Sequence, residues 1–167
     1  IGNTNISVAE MSEHGLCEPQ RFSADEIEKA GKSVSSACAV VYCSVNPDTE
    51  CSLLKFASKS AIKKKAGKDF KIPIRNNTHS PEATGPDRLI ACYEAAVTET
   101  LPVIVIDSGT AVTVDLVTEG PIFQGGVIVP GPGLMSRALR ENTGLLPEVA
   151  ISAECAAMSE LITPIFT

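Results

Sequence analysis

The sequence contains no tryptophan, and aromatic residues make up only 4% of its 167 residues. Its six cysteines form no Cys-x-x-Cys pair and are accompanied by only two histidines, a composition that argues against a zinc site. Positive charge is not in excess, because the net charge is −6. A nucleic acid or an anionic membrane surface would require a positive field, so we expect neither as a partner. The longest apolar runs, such as 103–106, are strand-sized, and no membrane span is predicted.

What is present fits a globular protein. Hydrophobic residues reach 44% and charged residues 20%, and the length suits one medium domain or two small halves. No basic segment precedes an apolar core near the start, so no signal peptide is predicted. Most of the cysteines lie in apolar contexts and are interpreted as free buried thiols. These features together predict a cytoplasmic protein.

Two segments share one pattern that indicates phosphate binding. In 103–116 an apolar strand ends in Asp107, a tight turn with Gly109 and Thr110 follows, and a second strand alternates apolar residues. In 1–8 the turn Gly2-Asn3-Thr4 and its outgoing strand recur. Glycine lets the backbone approach an anion, and successive N–H groups with a Thr hydroxyl can hold phosphate oxygens. Two such hairpins facing each other would form a phosphate clamp, which suggests nucleotide chemistry.

Strands and helices alternate along the chain. Ser23 with Glu26 forms a predicted capping box, and Pro86 suits the first turn of a helix. The predicted helices cover 23–30, 50–65, 85–97 and 134–142, the predicted strands and hairpin cover 37–44, 103–117 and 123–129, and a polar loop covers 74–84. This order predicts an α/β fold with two similar halves.

Two aspartates carry the predicted chemistry. Asp107 ends a strand that should be buried, so it either faces a cation beside the phosphates or caps its turn as an Asx residue. Asp87 opens a predicted helix and is followed by Arg88. Its position fits simple helix-dipole capping. The same dipole and Arg88 would also keep it ionised, as a general base must be.

Other candidates have plainer readings. Thr4 and Thr110 lie in the turns and are the better phosphate contacts, whereas Thr113 more simply lies along its strand. The glycines before 134 either face an anion or form a structural turn. The lysine run 63–65 is interpreted as a solvated helix end rather than a nucleic-acid patch.

Taken together, four motifs resemble the type III pantothenate kinase family, within the superfamily of acetate and sugar kinases, actin and heat-shock chaperones. In order, the motifs are Gly2-Asn3-Thr4, Gly85-Pro86-Asp87-Arg88, Asp107-Ser108-Gly109-Thr110-Ala111-Val112-Thr113 and Gly125-Gly126-Val127-Ile128-Val129-Pro130-Gly131. The resemblance covers most of 1–149. The family's first motif begins with an aspartate that would fall one residue before Ile1. Its Gly-x-x-Thr segment has no match in 151–167.

The resemblance implies phosphorylation of pantothenate by ATP, the first step of coenzyme A synthesis. It implies two ribonuclease-H-like (actin-like ATPase) halves, 1–84 and 85–167, the second incomplete, and a homodimer. ATP with Mg²⁺ and a monovalent cation, K⁺ or NH₄⁺, are the implied cofactors. By position, the residues implied to bind ATP are Ile1, Gly2, Asn3, Thr4, Asn5, Ile6, Ser7 and Thr110. Those implied to contact pantothenate are Gly85, Pro86, Asp87 and Arg88, with Asp87 as the base, and Asp107 would bind the monovalent cation.

Two rival functions remain. A non-catalytic nucleotide-binding relative, or one accessory to transcription, would account for the unmatched family elements. A phosphotransferase acting on another small hydroxylated acid is the third candidate. The segment Gly85-Pro86-Asp87-Arg88 argues against it, because general members of the superfamily lack this motif.

Overall fold

A computed structural model describes residues 1–149. In this part of the chain the strands are β1 (Asn5–Val8), β2 (Met11–Ser12), β3 (Gly15–Leu16), β4 (Gln20–Ser23), β5 (Ala39–Tyr42), β6 (Ile62–Lys65), β7 (Arg75–Asn76), β8 (Val103–Ser108), β9 (Ala111–Thr118) and β10 (Ile122–Pro130), and the helices are α1 (Ile27–Val34), α2 (Pro47–Leu54), α3 (Pro86–Thr98) and α4 (Pro132–Asn142). The predicted α/β class is therefore confirmed. The segment 151–167, with Cys155, lies outside the described residues.

The strands form one larger sheet and three pairs. The larger sheet has the order β7-β10-β9-β8, with β7 parallel to β10. Strand β1 pairs antiparallel with β4, which places Ile6 opposite Phe22, and β5 pairs parallel with β6. Strands β2 and β3 form a short antiparallel hairpin. No helix among residues 1–149 is long and apolar enough to cross a membrane.

The chain divides into two compact units, each described by itself. The larger unit comprises Ile1–Ile106 and Val114–Val127, and the smaller comprises Asp107–Thr113 and the described residues 128–149. The boundary predicted at residue 84 stays a prediction.

The larger unit contains two buried clusters. The first is formed by Ile6, Ala30, Val34, Leu53 and Ala57. The second is formed by Cys92, Val117 and Phe123, with Leu89 and Ala96 of α3 packed against it. The apolar face predicted for 85–97 is thus the face that α3 buries, although Val97 remains 57% exposed.

The start of α1 follows the predicted capping box. The backbone N–H of Ser23 donates to Glu26 Oε2 at 3.2 Å, and one 3₁₀ turn (Ala24–Glu26) leads into α1. Lys29 Nζ donates to the other carboxylate oxygen of Glu26 at 2.6 Å. This arrangement satisfies a backbone donor that a helix start otherwise leaves unpaired. The helix continues to Val34, four residues beyond its predicted end.

The helix predicted over 50–65 is confirmed over 50–54 and wrong beyond Leu54. Helix α2 begins earlier, because Asn46 Oδ1 accepts the N–H of Thr49 at 3.1 Å and Pro47 occupies the first turn. The helix ends at Leu54, and Ser58 Oγ accepts the N–H of Ser60 at 3.3 Å in the turn that follows. Serine side chains compete in this way with helical hydrogen bonding. The chain then enters β6.

The lysine run accordingly lies in a strand and not at a helix end. Lys63 and Lys65 are half-buried and Lys64 is exposed, as strand alternation requires. Lys65 Nζ donates to Glu50 Oε2 at 2.6 Å, and Tyr42 Oη donates to Glu50 Oε1 at 3.1 Å. Burial alone would raise the pKa of Glu50, but the hydrogen bonds from Lys65 and Tyr42 outweigh it and lower that pKa.

The cysteines only partly match the expected buried thiols. Among the described cysteines, Cys92 is buried, Cys43 is half-buried, and Cys17, Cys38 and Cys51 are exposed. The apolar sequence contexts misled here, because Cys17 and Cys38 lie just outside strands β3 and β5, and Cys51 lies on an exposed side of α2.

Strands β9 and β10 approach closely at Gly126. A Cβ atom at this position would lie 1.9 Å from the carbonyl oxygen of Val114 and 2.7 Å from Asp115 Oδ1. Real Cβ contacts are never so short, and the nearer neighbour is backbone that cannot rotate away. Only glycine fits here.

We expect Gly126→Ala to lower the free energy of unfolding by about 1–3 kcal/mol, because the added methyl group must push β9 and β10 apart. The midpoint of urea unfolding measures this change. Gly133→Ala is the matched control, since a Cβ at Gly133 in α4 meets no atom within 4 Å. Its stability should stay equal or rise by less than about 1 kcal/mol. Equal midpoints for the two variants would contradict the close approach at Gly126.

Candidate active site

The segment Gly85-Pro86-Asp87-Arg88 forms the start of α3. Gly85 is the N-cap residue and Pro86 occupies the first helical position, as predicted. Asp87 is exposed, and its Oδ1 accepts the N–H of Arg88 at 2.9 Å. A Cβ at Gly85 would lie 2.4 Å from Asp87 Oδ1, so the absence of a side chain at Gly85 leaves room for the Asp87 carboxylate. The partial positive charge of the helix N-terminus favours a carboxylate at this position.

The polar loop before Gly85 is held by one asparagine. Asn76 Nδ2 donates to Thr84 Oγ1 at 3.0 Å, and Asn76 Oδ1 accepts the N–H of Thr78 at 3.1 Å. Strand β7, which contains Asn76, is itself paired with β10. The approach of the chain to α3 is therefore fixed to the larger sheet.

Arg88 points inward and pairs with a buried carboxylate. Its Nε donates to Asp115 Oδ2 at 3.0 Å, and its Nη2 donates to Asp115 Oδ1. The guanidinium carbon lies 5.5 Å from the centre of the Phe123 ring, within cation–π range. The hydrogen bond with Asp115 raises the pKa of Arg88 against the opposing effect of burial. Arg88 is therefore a fixed cation beside Asp87.

Asp115 is a residue that sequence reasoning missed. It lies on β9 and is only 2% exposed. The sequence does indicate that Asp115 is buried, because Asp115 and Val117 occupy alternate positions of one strand and so share a face. Val117 is buried, and a carboxylate on a buried face requires a partner.

Cys92 lies one helical turn beyond Arg88, in the same buried region. Burial, and then the charge of Asp115, raise the pKa of the Cys92 thiol to about 11. At neutral pH this thiol is protonated and packs as a small apolar group. It is not a nucleophile.

The first glycine turn packs along the end of β5. The N–H of Gly2 donates to the carbonyl of Asn5 at 2.9 Å and closes the turn, and the N–H of Val45 donates to the carbonyl of Ile1 at 3.1 Å. Among the residues expected to bind ATP, Asn3, Thr4, Asn5 and Ser7 are exposed, whereas the Ile6 side chain is fully buried. Any contact from Ile6 to a nucleotide must therefore come from its backbone.

The end of β5 also lies beside the start of α3. The charge of Asp87 is close enough to Cys43 to add to the effect of burial, and both raise the pKa of the Cys43 thiol. A cavity of about 400 Å³ adjoins this region, with Ser44, Gly67, Thr84 and Pro86 among its lining residues. The structure thus brings the first glycine turn and the segment 85–88 to the same end of β5.

The second glycine turn belongs to the smaller unit. The N–H of Gly109 donates to the carbonyl of Ala111 at 2.9 Å, and the N–H of Gly131 donates to the carbonyl of Thr110 at 2.8 Å. A Cβ at Gly131 would lie 2.1 Å from the carbonyl oxygen of Gly109, so the start of α4 needs this glycine. Asp107 lies near the end of β8 and Thr110 lies in the turn that follows, and both are exposed.

Asp107 and Thr110 are brought together within the smaller unit. Their meeting with Asp87 and the first turn stays a prediction. Within residues 1–149, no three His, Cys, Asp or Glu side chains group closely enough to hold a metal ion. Asp107 would need carbonyl oxygens or substrate oxygens as further ligands.

We expect Cys92 to stay unmodified when the folded protein is treated with iodoacetamide at pH 8, because only the thiolate reacts and its pKa is about 11. Exposed Cys17 is the internal control and should be alkylated, as measured by peptide mass spectrometry. In urea both should react. Alkylation of Cys92 in the folded state at the rate of Cys17 would contradict its buried, protonated state.

Comparison with known proteins gives a consistent result. A sequence profile described as type III pantothenate kinase matches residues 1–163. A relative from Caulobacter vibrioides named type III pantothenate kinase is 41% identical, over 51% of this chain and 33% of the relative. A relative of the same name from Finegoldia magna is 31% identical, over 90% of this chain and 64% of the relative. A third, from Persephonella marina, is 36% identical over 58% of this chain and 37% of its own.

The chain therefore spans between about a third and two thirds of the length of these relatives. The profile nevertheless covers nearly all of the chain and includes every motif that the sequence singled out. The chain belongs to the type III pantothenate kinase family.

Proposed function

We propose that this protein transfers the γ-phosphoryl group of ATP to the primary hydroxyl of pantothenate, giving 4′-phosphopantothenate in the first step of coenzyme A biosynthesis. Relatives named type III pantothenate kinase support this function. The observation that carries it is local: an exposed carboxylate, Asp87, lies beside the fixed cation Arg88 at the end of β5 where the first glycine turn packs.

In the proposed reaction Asp87 accepts the proton of the pantothenate hydroxyl as that oxygen bonds to the γ-phosphorus of ATP. The bond between the γ-phosphorus and the bridging oxygen breaks, and ADP leaves. Phosphoryl transfer depends mainly on positioning and on neutralising charge, so one well-placed carboxylate suffices as the base. Gly85, Pro86, Asp87 and Arg88 contact pantothenate in this proposal.

The groups proposed to contact ATP are backbone donors and hydroxyl groups of the glycine turns. The proposed contacts from the first turn come from Ile1 to Ser7, chiefly through the backbone and the exposed polar side chains, and Thr110 contributes from the second turn. Mg²⁺, when bound, neutralises phosphate charge. A monovalent cation, K⁺ or NH₄⁺, would be held by Asp107, whose exposed carboxylate offers a hard oxygen ligand.

Further features of the family complete the proposal. The halves 1–84 and 85–167 would each have a ribonuclease-H-like fold, and two copies would form a homodimer in the cytoplasm. A non-catalytic nucleotide-binding role is the rival outcome of the experiments below.

We expect Asp87→Asn to lower kcat by about 10²–10⁴-fold, because the amide cannot accept the hydroxyl proton. The measurement is pantothenate-dependent ADP formation with ATP, Mg²⁺ and K⁺. It should be run on this chain and on a longer form that supplies the family's aspartate ahead of Ile1. Glu94→Gln, an exposed carboxylate on the same helix, is the matched control and should keep full activity.

Two results would count against the proposal, one against the role of Asp87 and one against the kinase function. Undiminished turnover in Asp87→Asn would remove Asp87 from the role of base. Folded protein that shows no turnover in either form would replace the kinase function by the non-catalytic role.

We expect Asp107→Asn to raise the K⁺ concentration needed for half-maximal activity by about tenfold or more, because the neutral amide is a weaker ligand than the carboxylate. ADP formation is followed against KCl at constant ionic strength held with choline chloride. Glu119→Gln, an exposed carboxylate at another turn, controls for a lost negative charge. An unchanged K⁺ dependence in Asp107→Asn would contradict a cation site at Asp107.

A further inference from the structure

The pairing of Arg88 with Asp115 fixes a cation in one orientation. Both hydrogen bonds leave from one edge of the guanidinium group, through Nε and Nη2. A planar group held along one edge and placed over the ring of Phe123 cannot turn without breaking both bonds or leaving the ring. Two of its five N–H donors are used in this way, and the others remain to bind a ligand oxygen.

The carboxylate of Asp115 is confined as tightly as its partner. Asp115 is 2% exposed, and the Arg88 side chain is 16% exposed. On β10, Gly126 comes so close that a Cβ there would lie 2.7 Å from Asp115 Oδ1. The carboxylate thus lies between a guanidinium edge and a strand, with one position available to it.

Stability alone does not require this ion pair. Removing two charges from water is costly, and well-packed apolar residues of similar volume often serve equally well or better. What an apolar pair cannot supply is a directed cation. The distinctive property of the pair is therefore the orientation that it gives to Arg88, directly beside Asp87.

We infer that Asp115 is a positioning residue for the substrate: by holding the Nε edge of Arg88, it aims the remaining donors of Arg88 at pantothenate. This inference rests on the proposed function, in which Arg88 contacts pantothenate. Asp115 itself touches no substrate and acts through Arg88.

The test is the Asp115→Asn variant, which keeps the shape of the side chain and removes its charge. The KM for pantothenate should rise about tenfold or more, while the KM for ATP stays within about twofold of the unchanged protein. A purely structural role would lower stability and the amount of active protein but leave the pantothenate KM where it was. A pantothenate KM equal to that of the unchanged protein overturns the inference.

The matched control removes a carboxylate from another half-buried pair. In Glu50→Gln the partner Lys65 loses its charged acceptor, with 16% and 23% side-chain exposure for the two residues. This variant should lose stability and keep the pantothenate KM. An equal rise in the pantothenate KM in both variants would show a general effect of destabilisation and would overturn the inference.

A double-mutant cycle tests whether Asp115 acts through Arg88. In the Arg88→Ala background, Asp115→Asn should change the pantothenate KM by less than about twofold, because no guanidinium group remains to be aimed. If the increase in pantothenate KM of the double variant equals the product of the increases of the two single variants, the inference is overturned.

Two further measurements keep the inference testable if Asp115→Asn does not fold or if the protein has no kinase activity. Asp115→Glu keeps the charge but displaces the carboxylate by one methylene group, and an unchanged pantothenate KM in this variant overturns the inference. In ¹⁵N-labelled protein, the Nε–H signal of Arg88 should be protected from exchange and should lose that protection in a folded Asp115 variant. Equal protection of the Arg88 Nε–H in the unchanged protein and in the variant overturns the inference, and this result does not depend on kinase activity. Absent turnover in the unchanged protein counts only against the proposed function.

Discussion

The buried pair of Arg88 and Asp115 is the contact on which the candidate site depends. It joins the first turn of α3 to the middle of β9, and the second buried cluster, Cys92, Val117 and Phe123, surrounds it. Because an unpaired charge in such a place would be costly, neither partner can move without the other. Because Asp87 is one residue before Arg88, the same pair also fixes the position of the exposed Asp87 carboxylate. The proposed base at the surface is held here by an ion pair below the surface.

The other part of the larger unit positions its turn by apolar burial. Ile6 is fully buried among residues of α1 and α2, and it anchors β1, so the exposed turn before it is held from one side by the core. The backbone bond from Val45 to Ile1 holds it from the other side. Apolar burial holds the first glycine turn and an ion pair holds Arg88 for a physical reason. A backbone turn needs only a fixed strand, whereas an oriented side chain needs a partner for its own polar atoms.

Much of this arrangement is visible in the sequence, and the failures have local causes. The capping box at Ser23, the start of α3 at Pro86 and the hairpin around Gly109 were predicted, because each is set by residues within a few positions. The helix predicted over 50–65 was wrong beyond Leu54, because strand β6 is defined by pairing with β5 more than twenty residues away. Asp115 was missed for a related reason. The alternation along β9 indicates a buried carboxylate, but nothing nearby in sequence names Arg88 as its partner.

The charges around Arg88 explain why the orientation of its guanidinium group matters more than long-range electrostatic attraction. The chain carries a net charge of −6, and the two proposed substrates, ATP and pantothenate, are both anions, so long-range electrostatics would not favour their approach. Arg88 and Asp115 together are neutral, and the pair therefore adds little to the field at a distance. At hydrogen-bonding range the situation differs, since the free N–H groups of an oriented guanidinium group meet an oxygen ligand directly. In the proposed function, binding in such a place would be selective because it requires a ligand oxygen at one position, which the aspartate below Arg88 would fix.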